Sequence, residues 1–448
     1  IFKHDAYRSI ALVCIICILG WHYLSGERRY RLSRRYVLSA AAFSIWGLIA
    51  SSWASAWQQA LLFALLPPLL FLSMPVLATG WRNKPVATAL SLALLALVLF
   101  GADTICAVAS QLSGDKPYRM PWMSAVQAYV FYSPRDANQF HTLLIWSGLP
   151  CLLLSRRWLT ALGLAIPALG MFLILNSNGD GALLAVVIGS LLSGLVLRGQ
   201  LWRRTLLLFV AGLGLGAIAF LLFNHLAGGP ELGGVLAQKT EQFTGAPAGR
   251  PHTWLKHAES IIRNGLWLGA GYRAIPTGSL ACDPHNVLIA LAYWLGIPGL
   301  ALIGIWVTGL DWRLANKPPV VQALIPGTFA ALGTYQMLDA IWGFPPSFVL
   351  LCLLFGMVCP LIGPEAAAWS SGIPLHKGFA LLGIALAALF VVLARQAPFN
   401  AGHPANRKCM MAFGSVSQQE AGRTKPRAKP GTAKPQPLKA PALPAATP

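Results

Sequence analysis

The residues between positions 250 and 299 combine types that could do chemistry on a phosphate. Arg250 and Trp254 stand at i and i+4, and His285 and Asn286 follow as a pair further along the chain. A guanidinium stays charged and binds phosphate oxygens through two parallel hydrogen bonds. An imidazole can accept a proton from a hydroxyl near neutral pH. These residue types together predict a site that binds a phosphate or pyrophosphate and activates an attacking hydroxyl.

Each of these residues also has an interpretation without catalysis. Arg250 at a membrane boundary could extend its charge towards lipid headgroups, and His285 could be an ordinary hydrogen-bonding residue there. The Gly-Ala-Gly sequence of 269–271 indicates a turn. It does not match a nucleotide-binding fingerprint, because no predicted strand precedes it and no acidic residue follows at the required distance.

The polar residues of this region do not form a metal-binding pattern. Its carboxylates are isolated from one another: Glu231, Glu241, Glu259 and Asp283. His252 and His257 are five positions apart, whereas two ligands on one helix prefer the spacing i and i+4. We therefore expect no metal and no other cofactor, and we expect Arg and Lys side chains to stabilise any charge that develops.

The elements that must position these residues are membrane helices. Of 448 residues, 56% are hydrophobic and 11% are charged, with a mean hydropathy of +0.60, whereas soluble domains carry about 25% charged residues. Apolar runs of roughly 17 to 25 residues, the length that crosses a bilayer, repeat along the chain. They cover 9–25, 37–56, 57–79, 85–111, 138–155, 159–177, 181–198, 205–223, 286–310, 319–341, 347–363 and 378–395. The sequence predicts an all-α, polytopic membrane protein with about twelve spans.

The basic residues indicate which side of the membrane each loop faces. A net charge of +20 would suit a nucleic-acid binder, but the Lys and Arg residues fall in short clusters between apolar runs. That distribution is the positive-inside pattern of membrane proteins. The clusters lie at 28–35, 82–84, 156–157, 198–204 and 313–317. We expect them in the cytoplasm, with the protein in the inner (plasma) membrane among membrane lipids and with no nucleic-acid partner.

Loops of unequal length divide the chain into four parts. These parts are N-terminal helices over 1–223 with an outer interfacial loop near 112–137, a long outer loop over 224–285, C-terminal helices over 286–395, and a basic Pro/Ala-rich tail over 396–448. The composition of the tail predicts disorder. Within the long loop, an amphipathic helix is predicted from Pro251, a good first-turn residue. Its apolar face would carry Trp254, Ala258 and Ile261.

Four motifs follow an order that resembles the bacterial O-antigen ligase and polymerase superfamily. They are Arg250-x3-Trp254-x3-Ala258-x2-Ile261, the Gly-x-Gly turn of 269–271, the His285-Asn286 pair, and Gly296-Ile-Pro-Gly299. Each motif is weak by itself, so the resemblance rests on their order, their spacing and their place on one outer loop. It covers residues from about 130 to about 310.

The resemblance implies an O-antigen ligase with a GT-C-like fold. Such an enzyme takes a glycan from undecaprenyl pyrophosphate on the periplasmic face and joins it to the lipid A core, which completes lipopolysaccharide. The transfer needs no metal and inverts the anomeric carbon. Carried over to this sequence, Arg250 holds the pyrophosphate and His285 acts on the acceptor hydroxyl. Trp254 and Asn286 join the expected substrate-binding residues.

Two departures from the family pattern shape the rest of the expected site. The segment 134–138 resembles an outer-face Pro-Asn element with two inserted residues, which makes Arg135 a second phosphate ligand. Many relatives carry Ser-Arg after the helix that ends near Ser177, whereas this chain has no Arg there. Arg273, Arg135 or Lys256 would then supply the missing charge.

Three other functions stay open on the sequence alone. A polymerase or a protein O-oligosaccharyltransferase would use the same lipid-linked donor, and the stretch from Tyr335 to Pro345 faintly resembles an element of the latter. A secondary transporter would need ionisable residues near mid-membrane and broken helices in two matching halves. The main ionisable residues of the predicted spans, Asp103 and Asp339, lie near segment ends, and no internal repeat is evident.

Overall fold

A computed structural model shows that the protein is mainly helical. It describes residues 15–21, 30–54, 57–112, 134–154, 156–177, 179–226, 250–271, 286–338, 345–362, 373–374 and 377–396. These residues belong to one compact unit, Ile1–Ala401. The predicted tail, apart from its first residue, lies outside the described residues.

The helices follow the predicted apolar runs. In chain order they are α1 (Arg34–Ser51), α2 (Trp57–Ala64), α3 (Leu66–Asn83), α4 (Pro85–Leu112), α5 (Pro134–Leu144), α6 (Gly148–Leu153), α7 (Arg157–Asn176), α8 (Asp180–Val196), α9 (Gln200–Leu226), α10 (Arg250–Arg263), α11 (Val287–Thr308), α12 (Pro319–Leu338), α13 (Pro345–Gly356) and α14 (Lys377–Gln396). A helical stretch also covers 15–21, and 3-10 turns cover Ile145–Ser147 and Leu314–Asn316. The described strands are β1 (Arg31–Leu32), β2 (Leu361–Ile362) and β3 (Ile373–Pro374), with β1 in the middle of an antiparallel sheet.

Four of the described helices are long and apolar enough to cross a membrane. They are α4 over Pro85–Ala109, α7, α9 and α11, while α8 and the Lys377–Val392 part of α14 are shorter apolar helices. The chain is therefore a helical membrane protein. The expected count of about twelve spans is not confirmed and stays a prediction.

Two predicted spans are divided into shorter helices. The run 57–79 is interrupted between α2 and α3, where α3 has proline in its first turn. Proline has no N–H group to continue the hydrogen bonds of a preceding helix. The run 138–155 passes through the 3-10 turn between α5 and α6. An apolar run long enough to cross a bilayer does not always form one straight helix.

Helix α5 begins earlier than the predicted span. Its first residue is Pro134, so Arg135 lies in a helix and not in the loop that the sequence predicted. Proline suits this place, because an N–H group in the first turn of a helix would have no partner there. The predicted loop near 112–137 thus ends at Pro134, and residues 113–133 lie outside the described residues.

Small residues let the central helices approach closely. The Trp146 ring lies beside Gly189 of α8 and Gly327 of α12, where added methyl carbons would be 2.4 and 2.2 Å from the ring. The Phe209 ring stacks on Trp146 with centroids 5.1 Å apart. Lipid tails are as apolar as these side chains, so close packing of helices, and not the exclusion of water, favours this arrangement.

Five of the basic residues lie together at one end of the bundle, beside the start of α1 and the ends of α3 and α11. We call this the basic end and define it by Arg31, Arg35, Arg82, Arg313 and Lys317. Arg35 donates to Thr308 Oγ1 at 2.9 Å, which joins the start of α1 to the end of α11. Arg82 donates to the carbonyl oxygen of Leu361 at 2.7 Å, which joins α3 to β2. A positive-inside orientation requires basic residues to be segregated in this way.

Five buried polar side chains lie away from the basic end, on α4 and α5, after α7 and before α11. We call this the polar end and define it by Asp103, Asn138, His141, Ser177 and Asn286. Asp103 is about 27 Å along α4 from the start of that helix, at 1.5 Å per residue. Asn286 precedes α11, whose last residue, Thr308, is bonded to the basic end. The loop that carries the predicted site therefore joins helices at the polar end.

Candidate functional site

Helix α10 carries the first motif of the predicted site. It covers Arg250–Arg263 and so begins one residue before the predicted start. Its partly buried side chains include the predicted apolar face, Trp254, Ala258 and Ile261. Leu255 and Ile262 are 68% and 66% exposed. The helix therefore packs against the protein with its predicted face and presents further apolar side chains outwards.

The inner face of α10 also holds a buried histidine. His257 is 1% exposed, and its ring lies edge-on to that of Tyr293 in α11, with centroids 5.4 Å apart. Ser260, less than one turn later, is hydrogen-bonded to the side chain of Tyr293. An edge-to-face aromatic contact stabilises by about 0.5–1.5 kcal/mol beyond the burial itself. Helix α10 thus crosses α11 at Tyr293 through a specific contact.

Helix α11 is broken at Gly296. The backbone there has φ 66° and ψ −167°, a conformation that residues with a Cβ avoid. An added methyl carbon would lie 2.1 Å from the carbonyl oxygen of Trp267. The break removes helical partners from the carbonyl groups of the preceding turn, as at any helix end. The motif Gly296-Ile-Pro-Gly299 therefore places a break inside a candidate membrane span.

The broken turn of α11 bonds to the turn that follows α10. Three backbone hydrogen bonds join the two segments: Ala270 N–H to Tyr293 C=O at 2.8 Å, Gly271 N–H to Trp294 C=O at 2.9 Å, and Ile297 N–H to Trp267 C=O at 2.9 Å. Gly269, with φ 88°, lets the chains approach, because a methyl carbon there would be 2.4 Å from the Trp294 carbonyl oxygen. We call these contacts between 266–271 and 293–297 the clamp.

Two tryptophans hold the clamp from the side of α1. Trp46 Nε1 donates to the carbonyl oxygen of Leu295 at 2.8 Å, and Trp53 Nε1 donates to that of Gly269 at 3.2 Å. The two indole rings meet edge-on with centroids 5.9 Å apart. Trp46 is half-buried and Trp53 is 44% exposed, so both bonds lie at the surface of the protein. The outer loop is therefore tied to α1 as well as to α11.

The clamp places the first turns of α10 and α11 in one rigid unit. Arg250 is about 10 Å along α10 from His257, and Val287 is about 9 Å along α11 from Tyr293, at 1.5 Å per residue. Because His257 contacts Tyr293, both first turns begin within about 10 Å of one crossing point. The motifs around Arg250 and Asn286 therefore share a common support.

The carbonyl groups at the break in α11 allow a comparison with the transporter alternative. In transporters, an unwound turn of a membrane helix presents its carbonyl oxygens to an ion. In this chain the carbonyl oxygens of Tyr293, Trp294 and Leu295 accept hydrogen bonds from protein N–H groups. The break thus anchors a loop, which disfavours an ion site at this place.

Asn286 supports the start of α11. Its Oδ1 accepts hydrogen bonds from the N–H groups of Leu288 and Ile289 at 3.0 and 3.1 Å. Its Nδ2 donates to the carbonyl oxygen of Met337 in α12 at 3.1 Å. The residue is 3% exposed. The sequence predicted Asn286 as a substrate ligand, whereas its amide serves as a helix cap and joins α11 to α12.

Four of the other predicted residues lie on two helices, and two lie outside the described residues. Arg250, Trp254 and Lys256 lie on α10, and Arg135 lies in the first turn of α5. His285 and Arg273 lie outside the described residues. The structure brings the backbones at Arg250, Trp254 and Asn286 into one unit, while the roles of all seven residues stay predictions.

Candidate metal ligands are scattered in the described part of the chain. That part of the chain contains no group of three or more His, Cys, Asp or Glu side chains that could hold a metal ion. His285 and the predicted loop carboxylates Glu231, Glu241 and Asp283 lie outside it. Activity without a metal therefore stays a prediction.

No protein-family model matches the sequence, and no curated protein matches it. The resemblance to O-antigen ligases thus rests on the four sequence motifs and stays an expectation.

Sequence reasoning missed the polar contacts that lie inside the bundle. His141 Nε2 is 2.8 Å from Asp103 Oδ2, with side chains 1% and 5% exposed. A usable signal was present, because His141 is an ionisable residue within the apolar run 138–155 and such residues mark important sites. The sequence pattern indicates His257 only as a possible metal ligand, and it carries no signal for Trp46 or Trp53.

Proposed function

We propose that the protein is an O-antigen ligase of the bacterial inner membrane, with its active site facing the periplasm. It would transfer a glycan from undecaprenyl pyrophosphate to the lipid A core oligosaccharide. The observation that carries the proposal is the clamp, because it ties the turn after the Arg250 helix to the membrane helix that follows the His285-Asn286 pair. A transferase with a lipid-linked donor needs its loop ligands held firmly at the bilayer edge.

The proposed reaction is a substitution at the anomeric carbon. The acceptor hydroxyl oxygen forms a bond to that carbon while the bond to the pyrophosphate oxygen breaks, so the configuration inverts. His285 takes the hydroxyl proton, and undecaprenyl pyrophosphate leaves with the bonding electron pair. Arg250 stabilises the charge on the leaving group, a term of about 3–4 kcal/mol for a preorganised donor. Further cations are expected from Arg135, Lys256 and Arg273.

The starts of helices support this assignment of the anion site. Arg250 and Arg135 each lie in the first turn of a helix. The N-terminus of a helix carries a partial positive charge and offers N–H groups to anions. Arginines in these places would add full charges to the same field, which suits a pyrophosphate.

A reconstituted transfer assay tests the proposal. Purified protein in liposomes, given an undecaprenyl-pyrophosphate-linked glycan and lipid A core, should form lipopolysaccharide with EDTA present. Failure to modify lipid A core while the donor stays intact would overturn the ligase assignment. Elongation of the lipid-linked glycan would replace it with a polymerase, and transfer to a protein would replace it with an O-oligosaccharyltransferase. Loss of transfer in EDTA with rescue by a divalent ion would overturn metal independence.

Substitutions at His285 and Arg250 should separate the two proposed roles. His285→Ala should lower kcat by about 10²–10⁴-fold with donor affinity nearly intact, as for a general base. Arg250→Ala should lower donor affinity and kcat together, and Arg250→Lys should recover only part, because an ammonium cannot form the bidentate pair. The measurements are donor binding and turnover for each folded variant.

Two control variants change residues of the same types at exposed positions. His225→Ala changes an exposed histidine at the end of α9, and Arg263→Ala changes an exposed arginine at the other end of α10. Both should leave transfer within about twofold, since surface substitutions usually have small effects. Near-normal turnover in His285→Ala would remove its role as base, and unchanged donor affinity in Arg250→Ala would remove its role as phosphate ligand.

A further inference from the structure

Helix α5 is buried in the bundle although half of its buried part is polar. Every residue from Ala137 to Leu144 is buried, and four of these eight are polar: Asn138, Gln139, His141 and Thr142. A polar group moved from water into an apolar surrounding is unfavourable unless it is hydrogen-bonded. The place of α5 must therefore be set by specific partners and not by apolar packing alone.

Two of the polar side chains bond to different neighbouring helices. His141 Nε2 lies 2.8 Å from Asp103 Oδ2 of α4, and the His141 ring is edge-on to Phe100 with centroids 5.3 Å apart. On another side, Ser177 at the end of α7 donates to Asn138 Oδ1 at 2.6 Å. Contacts with two neighbours fix both the depth of α5 in the bundle and its rotation about its own axis.

A proton path across the membrane is a poor account of the Asp103–His141 pair. Such a path needs a series of ionisable side chains. Within the described part of the chain, the buried Asp, Glu, Lys, Arg and His residues are Asp103, His141 and His257. His257 lies on α10 in the outer loop, so no described group of this kind continues from the pair towards the basic end.

Stability alone is also a poor account of this pair. A buried charged or ionisable pair is often no more stabilising than apolar side chains of the same volume, whereas removal of one partner is strongly destabilising. The pair makes one arrangement of α4 and α5 much more favourable than neighbouring arrangements. Its effect is therefore on position, and the first turn of α5 begins about 10 Å along the helix from His141, at 1.5 Å per residue.

We propose that Asp103 and His141 are positioning residues: their buried hydrogen bond fixes α5, and thereby the first turn that carries Arg135, for binding of the donor pyrophosphate. The inference rests on the proposed function, because Arg135 has a pyrophosphate to bind only if the chain uses that donor. Neither Asp103 nor His141 contacts the donor in this account. Both act through the backbone of α5.

The test compares three variants of the full chain in liposomes. Asp103→Leu removes the acceptor, and we expect the donor KM to rise by on the order of 10-fold or more with a smaller change in kcat, as for a misplaced binding group. Asp103→Asn keeps an oxygen that accepts from His141, so it should stay within about threefold of the unsubstituted protein. The double change of Asp103→Leu with His141→Phe leaves no lone buried partner and should fold, and it should share the raised donor KM.

A second measurement does not depend on catalysis. Spin labels at Asp136→Cys in α5 and Leu226→Cys at the end of α9, in a background whose accessible cysteines are replaced by serine, report the place of α5. Asp103→Leu or the double variant should shift or broaden the distance distribution, and Asp103→Asn should not. Ser193→Ala, at another buried polar position, is the control that should change neither the distance nor the donor KM.

The two measurements distinguish failure of the inference from failure of the proposed function. A protein that transfers no glycan would overturn the proposed function and, with it, the role of the pair in donor binding, while the label distances would still report whether the pair places α5. If the double variant folds with an unchanged distance and an unchanged donor KM, the pair does not position α5. Equal losses in Asp103→Asn and Asp103→Leu would also overturn the inference, because the hydrogen bond is retained in the first.

Discussion

The clamp and helix α5 are both polar features of an apolar bundle, but different parts of the chain hold them. The clamp is made of backbone hydrogen bonds, with glycine at the closest approaches. Helix α5 is held by side chains, through the contacts of His141 with Asp103 and of Asn138 with Ser177. Backbone contacts tolerate many different side chains and are broken mainly when one of the closely packed glycines is replaced. Side-chain contacts are broken when either partner residue is replaced.

This difference determines how freely the side chains of each region can be replaced. A backbone clamp allows the exposed side chains beside it, such as Trp267 and Ile297, to vary without loss of the anchor. The α5 contacts offer no such freedom, because each buried polar atom needs its own partner. The loop motif around Arg250 is thus supported by chain geometry, and the α5 motif around Arg135 by a particular set of residues.

The largest effect should come from breaking the clamp at Gly296. Gly296→Val places a Cβ against the Trp267 carbonyl oxygen and requires a positive φ that valine strongly disfavours. We expect a loss of at least about 3 kcal/mol of stability, in the range of severe core defects. Thermal unfolding in detergent and the rate of protease cleavage after α10 measure it.

Gly304→Ala is the matched control in the same helix. A methyl carbon there meets no atom within 4 Å, and alanine is the better helix former by about 1 kcal/mol. It should be neutral or stabilising. Should Gly296→Val melt at the same temperature as Gly304→Ala and resist protease equally, the clamp would not anchor the loop.

A smaller effect should follow from breaking one side-chain contact of α5. Ser177→Ala leaves Asn138 Oδ1 buried without its donor, which should destabilise by about 1–3 kcal/mol. Ser190→Ala is the control, since Ser190 bonds only within its own helix and should change stability by less than about 0.5 kcal/mol. Ile297→Leu in the clamp should also be nearly neutral, because Ile297 bonds through its backbone and is 57% exposed. Equal losses at Ser177 and Ile297 would remove the distinction between the two regions.

Most of the long helices could be predicted from the sequence because their causes are local. Apolar runs place α4, α7, α9 and α11 within a few residues, and Pro251 marks the first turn of α10. The break in α11 was not predicted, because the run 286–310 was expected as one span and several other prolines and glycines of this chain lie inside helices without breaking them. The count of spans was less readable, because an apolar run does not show whether it forms one helix or two.

The tertiary contacts of the break, the α5 side chains and the tryptophans could not be predicted from the sequence. The turn of 269–271 binds the break through backbone groups, and backbone groups are the same in every sequence. Asp103 and His141 are 38 positions apart, and neither apolar run contains a pattern that predicts their contact. The tryptophans on the side of α1 meet carbonyl oxygens more than 200 positions away. Tertiary pairing of this kind needs a fold before it can be seen.

The smallest effect on stability should come from the basic end, where ion pairs that are exposed to water join parts of the chain. Partial burial by itself would raise the pKa of Asp311, but hydrogen bonds and charge from Lys317, with hydrogen bonds from Arg313, hold that pKa below its ordinary value. A carboxyl whose pKa is lowered by folding stabilises the protein above its unfolded pKa of about 3.9. The contribution disappears as the pH falls through the lower folded value.

Asp311→Asn should therefore lower the melting temperature slightly at neutral pH, by less than an α5 contact does, since exposed ion pairs contribute below about 1 kcal/mol. The difference from the unsubstituted protein should shrink as the pH is lowered below about 4, because the carboxyl then becomes neutral as well. Lys317→Met should move the end of this decline to higher pH and make the decline smaller, since it removes the charge that keeps the folded Asp311 pKa low. Melting curves between about pH 3 and pH 7 measure both effects. A constant difference in melting temperature across that range would show that Asp311 acts through its shape and not its charge. A loss of stability as large as that of Ser177→Ala would show that the basic end depends on particular side chains as strongly as α5 does.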